Sequence, residues 1–325
     1  MTPPSDDSPQ SPIAGEPGSE SRLPQFFVAR NVVNVYAEPS TSVEVVSQSI
    51  MGDVVSVDDQ RDGFSHIVTA DRYQGWVGDE HIVPEWDRSD FLMTSIATLF
   101  ADVYSSPDTQ ADFLTKLVVS SRVTLAHGPV VGEFVPLVLP DHAVGYVHNL
   151  CLDITHDKPD AASDLADPKV RRSIDIGSLK RQIMRAVGIR AVEIGRRLIG
   201  TPYLWGGCTP FGIDCSGFVQ LSYKLSGLQL LRDADLQFRD KRFERCDGDQ
   251  SLDESDLLAG DLVAFRKKGG NKITHIGMAL GDGRFIHSAG GRGVVIEKCT
   301  VEKYASTFVG AVRLSPNADL DLDAS

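Results

Sequence analysis

The chain has 325 residues, 42% of them hydrophobic and 24% charged, a composition ordinary for a globular protein with room for two or three domains. Its formal net charge is −13 and no block of Lys or Arg interrupts the excess of acid, which argues against nucleic acid and against an anionic membrane surface as partners. Five scattered cysteines do not describe a disulfide framework. Residues 1–22 are rich in Pro, Ser, Asp and Glu and read as a disordered tail. They lack the positive start and apolar core of a signal peptide, and no stretch reaches transmembrane length, so the expectation is a cytoplasmic protein.

An internal repeat follows. Val35-Tyr36-Ala37-Glu38-Pro39-Ser40 is echoed by Val103-Tyr104-Ser105-Ser106-Pro107-Asp108 at an offset of 68, and Gly75-Trp76-Val77 by Gly145-Tyr146-Val147 at an offset of 70. Near-constant offsets predict two homologous units, over 23–87 and 88–154. Short β-branched runs at 43–49, 53–58, 64–69, 116–120 and 123–126, broken by turn residues, predict small barrels. The echoed motifs resemble bacterial SH3-like domains.

Residues 155–186 are polar, Asp-rich and Pro-containing, and read as a linker with a single helical turn. From Ile189 onward, Ala191, Ile194, Gly195 and Leu198 keep helical spacing, which opens a third domain over 187–325. Trp205-Gly206-Gly207 makes a tight turn, and an amphipathic helix is expected from Cys215 to Leu225, with Gly227 as its stop. A thiol at a helix N-terminus has its anion favoured by the dipole, so a lowered pKa is expected for Cys215. The charged stretch 241–254 suggests no chemistry, and a strand is expected at 261–265. A second strand, 273–280, carries His275; Gly281-Asp282-Gly283 turns the chain; and the returning strand, 284–288, carries His287 beside it. Paired imidazoles suit a base whose ring is fixed by a second ring. A metal reading would recruit Cys208, Cys215, His275 and His287, but their spacings do not match the usual zinc patterns.

Tyr203-Leu204-Trp205-Gly206-Gly207, Asp214-Cys215-Ser216-Gly217-Phe218-Val219, Gly260-Asp261-Leu262-Val263-Ala264-Phe265, His275-Ile276-Gly277-Met278 and Phe285-Ile286-His287 occur together and in this order. In that they resemble the NlpC-type cell-wall peptidases, over about 187–314. The resemblance implies an α+β chain: a papain-like catalytic domain, free of cofactor and metal, behind two all-β SH3-like barrels. It implies Cys215 as nucleophile, His275 as general base, His287 as the orienting ring and Tyr203 as an aid to the oxyanion. It further implies a substrate of peptidoglycan stem type, L-Ala-γ-D-Glu-diamino acid with a free amino terminus, cut at the γ-D-glutamyl bond in peptide recycling. Asp214, Ser216, Trp205, Arg232 and Asp233 would line the pocket, with Glu44 and Tyr73 closing it from the first barrel. Asp235 stands where a small hydroxyl residue is expected. An exported wall hydrolase, a related acyl transferase or amidase, and a wall-binding module remain alternatives, and the sequence leaves open whether the third residue is diaminopimelate or lysine.

Overall fold

The computed structural model describes residues 23–153, 176–246 and 257–318. The tail, most of the linker and the greater part of 241–254 lie outside the described residues. Two antiparallel sheets come first. One holds β1 (Gln25–Val28), β2 (Val32–Tyr36), β3 (Val45–Ile50), β4 (Val54–Arg61), β5 (Phe64–Val68), β6 (Gln74–Gly78) and β7 (Ile82–Pro84), in the order β3-β2-β6-β5-β4-β1-β7. The next holds β8 (Met93–Ser95), β9 (Phe100–Tyr104), β10 (Phe113–Val118), β11 (Arg122–Leu125), β12 (Phe134–Val138) and β13 (Val144–His148), in the order β10-β9-β13-β12-β11-β8. The repeat is therefore structural: β8 to β11 each begin 68 residues after β1 to β4, β12 and β13 70 residues after β5 and β6, and both sheets share one strand order. Alternation builds each core, as in β2, where Val33 and Val35 are buried and Val32, Asn34 and Tyr36 less so.

Helix α1 (Ile176–Arg197) begins thirteen residues before the Ile189 at which helical spacing becomes legible, so the linker's last stretch is helix rather than a single turn. The reason is exposure. Among its described side chains Met184 is the only buried one before Ala191, and a helix half in solvent shows no apolar stripe. A short hairpin, β14 (Cys208–Thr209) and β15 (Gly212–Ile213), precedes α2 (Cys215–Lys224) and the one-turn α3 (Ala234–Phe238). The closing sheet comprises β16 (Phe243–Arg245), β17 (Leu262–Arg266), β18 (Ile273–Ala279), β19 (Arg284–Ala289), β20 (Gly293–Lys298) and β21 (Phe308–Leu314), with α4 (Glu302–Ala305) before the last strand. Its order is β16-β21-β17-β18-β19-β20.

Helix α2 is buried from Cys215 to Tyr223, on every side and not on one face as expected. It packs on α1, β18 and β19, with Phe218 and Val219 in one cluster with Ile276, Met278 and Ile286. Asp261 is buried under a bidentate Arg313 (2.8 and 2.7 Å), caps Leu258 N–H and fixes the start of β17.

Candidate active site

Cys215 is the first residue of α2, and the residue before it is the N-cap. Asp214 Oδ1 accepts the Gly217 N–H at 2.7 Å, and a Cβ on Gly217 would stand 2.2 Å from the Gly207 carbonyl oxygen. The Asp-Cys-Ser-Gly run is thus a cap, a thiol and a close approach of two chain segments. The sulfur takes backbone N–H groups from Ser216 and from Ile276, which brings the strand carrying His275 against it.

His275 and His287 sit on β18 and β19. Gly277 makes their meeting possible: a Cβ there would fall 2.9 Å from that of His287. The rings meet at 2.7 Å, His275 Nε2 to His287 Nδ1, with planes 85° apart. Burial first, then the neighbouring His287, pushes the His275 ring down to about 3, and burial holds His287 at about 4, so both are neutral near pH 7. The lowered thiol pKa expected from the helix dipole is not found. Burial, then the Asp214 carboxylate one residue away, pushes Cys215 up to about 12, against the lesser pull of the two N–H groups. The resting pair is therefore thiol and neutral imidazole. Tyr203 is pushed up as well, by burial and then by its proximity to Cys215, and keeps its phenolic proton. Cys208, by contrast, faces the Ser47 hydroxyl at 3.7 Å and the Gly206 carbonyl at 3.6 Å.

The residues expected to line a pocket are linked to one another near Asp214, in a different division of labour from the expected one. Asp214 is buried and accepts from Gly206 N–H, Gly217 N–H, the Ser216 hydroxyl and both terminal nitrogens of Arg232, the closest at 2.5 Å. Its charge is balanced by Arg232, which is itself buried and also donates to Ser216 Oγ (2.8 Å) and Ser47 Oγ (3.2 Å). Asp214 is thus a cap and an ion-pair partner before it is anything to a ligand. The first barrel supplies a wall: Trp205 Nε1 donates to Glu44 Oε1 at 2.6 Å, Gln48 Oε1 accepts Cys208 N–H at 3.0 Å, and the Tyr73 hydroxyl donates to Asp233 Oδ1 at 3.4 Å. Gln220 reaches Asp71 at 2.6 Å, so that barrel is tied to α2 as well.

Sequence reasoning missed Glu297, Gln48, Ser47 and Gln237. Gln237, fully buried, donates to the carbonyls of Ser216 and Leu231 (3.0 and 2.8 Å) and fastens α3 to α2. Glu297 Oε2 lies 2.9 Å from His287 Nε2. No local signal marks any of the four, since each acquires its role from a partner distant in the sequence or on another strand.

Residues 200–313 match the NlpC/P60 family and residues 35–82 match a bacterial dipeptidyl-peptidase SH3 domain. A gamma-D-glutamyl-L-lysine dipeptidyl-peptidase of Bacillus cereus is 34% identical over 127 residues, which are 38% of this chain and 36% of that relative, so the match spans little over a third of the relative's own length. Dipeptidyl-peptidase 6 of Lysinibacillus sphaericus is 27% identical over 281 residues, 81% of this chain and 87% of that one. Among solved structures, a Bacillus cereus NlpC/P60 family protein overlays with a TM-score of 0.67 at 19% identity, covering 89% of this chain and 99% of the other, which shows a shared fold.

Proposed function

We propose, from the premise that residues 200–313 are an NlpC/P60-family domain carried behind a bacterial SH3-type domain, that this chain is a cysteine peptidase of peptidoglycan-derived peptides. Its bond would be that between γ-D-glutamate and a diamino acid, in peptides with a free N-terminal L-alanine. The observation that carries the reading is the juxtaposition at one point of Cys215, receiving the Ile276 N–H, and the His275–His287 pair.

The chemistry runs from a protonated thiol. As the Cys215 sulfur attacks the γ-glutamyl carbonyl, His275 takes its proton, and the oxyanion meets backbone N–H groups at the start of α2 and the Tyr203 hydroxyl. Collapse expels the amine, to which His275 returns the proton, and leaves a thioester. His275 then draws a proton from water, whose oxygen attacks the thioester and frees the carboxylate and the thiol. His287 holds the base in place throughout.

Specificity for a free amino terminus is supported by charge. With Asp214 balanced by Arg232, the carboxylates at the barrel wall are Glu44 and Asp233, which accept from the neutral donors Trp205 and Tyr73 and form no ion pair among the described residues, and an ammonium group is their natural complement. Such a substrate is a wall fragment, and a cytoplasmic recycling role is part of the proposal. Mass spectrometry of products from L-Ala-γ-D-Glu-diaminopimelate, with and without an acetylated amino terminus, tests it. Cleavage of the free peptide at the γ-glutamyl bond, at least about tenfold faster than the acetylated one, is expected from one charge-assisted hydrogen bond. Equal turnover of the two, or efficient lysis of intact wall, overturns the recycling reading.

A further inference from the structure

His275, His287 and Glu297 form a diagonal line across three neighbouring strands. In the β19–β20 register Phe285 faces Glu297 and His287 faces Val295, so Glu297 is one diagonal step from His287 on the same face. The line is one continuous chain of contacts: His275 Nε2 to His287 Nδ1 at 2.7 Å, and His287 Nε2 to Glu297 Oε2 at 2.9 Å. Glu297 is itself clamped. Arg292 donates to both its oxygens (2.9 and 2.6 Å), and the hydroxyl of buried Tyr304 donates to Oε2 at 2.5 Å.

We propose that Glu297 is a positioning residue whose carboxylate, through His287, fixes which nitrogen of His275 carries the proton. The inference rests on the peptidase reading of the Cys215 site. Glu297, paired with Arg292 and accepting from Tyr304, is an anion that can only accept. His287 Nε2 must then hold a hydrogen and donate it. A neutral ring has one N–H, so His287 Nδ1 is bare and accepts. His275 Nε2 must in turn be the donor, which leaves a lone pair on Nδ1, the one ring nitrogen available to take the proton of Cys215. Each step is forced by the one before it, and the chain begins at Glu297.

Replacing Glu297 by Leu removes the acceptor. Nothing then obliges His287 to hold its hydrogen on Nε2, so the His287–His275 pair is released to run in either direction, and a share of the His275 rings carries the hydrogen on Nδ1. In those molecules the base has become a donor facing a thiol. Glu297→Gln is the milder change: Oε2 receives His287, Tyr304 and one Arg292 nitrogen, whereas Oε1 receives Arg292 alone, so the amide oxygen takes the Oε2 place and the direction of the chain is kept.

The test reads the tautomers directly. In ¹⁵N spectra of histidine-labelled protein at pH 7, assigned with single His→Gln variants, both His275 and His287 should be protonated on Nε2 and bare on Nδ1. In Glu297→Leu a share of the His275 hydrogen should appear on Nδ1. Turnover of L-Ala-γ-D-Glu-diaminopimelate should fall about tenfold or more in kcat with KM within about threefold, as wrong-tautomer variants of hydrolytic triads do. Glu297→Gln, which keeps an acceptor oxygen toward His287, should keep the wild-type tautomers and most of the rate. A wild-type His275 carrying its hydrogen on Nδ1, or a Glu297→Leu enzyme with unchanged tautomers and kcat within about threefold, overturns the proposal. Should Glu297→Leu fail to fold, the wild-type spectrum decides. A wild-type chain that cleaves nothing would sink the peptidase reading while the spectrum still answered for Glu297.

Discussion

Ser47 and Arg232 are 185 residues apart in the chain and meet at 3.2 Å, hydroxyl oxygen to guanidinium Nε. The contact joins a barrel strand to the cation that neutralises Asp214, the residue beside Cys215. It makes the pocket a product of two domains, in which Arg232 links the barrel wall to the cap of α2.

Removing Arg232 should therefore unfold more than a surface. Arg232→Met leaves the buried Asp214 without its countercharge, and breaking one partner of a buried pair destabilises by about 3–5 kcal/mol. Arg232→Lys should rescue only part of this, because an ammonium cannot reproduce the forked pair with Asp214 and the reach to Ser47. Urea denaturation of the two variants measures it. A loss under about 1 kcal/mol for Arg232→Met would show the pair to be dispensable.

Cys215→Ala should abolish hydrolysis with the fold intact, since it removes the nucleophile and little volume. Cys208→Ser should keep most activity, its thiol being bonded to Ser47 and Gly206. If the two variants behaved the other way round, the nucleophile would have been misassigned.

Alkylation by iodoacetamide tests the protonation of the thiol. With Cys215 pushed up to about 12 by burial and Asp214, only a trace is thiolate at pH 7, and labelling should be slow and rise about tenfold per pH unit into the alkaline range. His275→Ala should slow it further near neutrality, where the imidazole assists. Fast labelling at pH 7 that levels off below pH 8 would mean that the resting site holds a thiolate.

Acid should weaken the fold through the histidines. In the unfolded chain both rings take up protons near pH 6.5, whereas in the folded site His275 resists to about 3 and His287 to about 4, chiefly through burial. Stability is then full above pH 6.5 and falls as pH drops, by roughly 2 kcal/mol per ring between pH 7 and 5. Glu297, held near 2 chiefly by Arg292, adds a loss of the same sign below pH 4.5. Burial pushes the Asp53 carboxyl up, which acts oppositely near pH 4, so the histidine signal is cleanest between pH 7 and 5. A urea midpoint that is the same at pH 7 and 5 would contradict it.

The strand repeat, the Asp-Cys-Ser-Gly turn and the neighbouring placement of the two histidines were legible because each is written locally: in spacing, in a cap followed by a glycine, in a hairpin with Gly-Asp-Gly at its bend. The partnerships were not. Glu297 alternates along β20 like any strand residue and becomes part of the site through His287, held there by Arg292 and by Tyr304, the latter from α4. Arg232 was expected at a pocket from the resemblance alone, while its saturation of Asp214 depends on Ser47 and on burial that no short window of sequence expresses. The thiol pKa was misjudged for the same reason: the helix dipole can be read from sequence, and desolvation cannot.

The place of β21 bears on how the molecule comes into being. This strand lies inside the last sheet, between β16 and β17, and Ala264 of β17 pairs with Gly310 across it. A ribosome delivers the barrels first, then the cysteine, then the histidines, and only afterwards Phe308–Leu314, without which β17 lacks a neighbour on one side. A growing chain that has emerged as far as His287 holds Cys215 and both histidines and still lacks the strand that completes the sheet beside them.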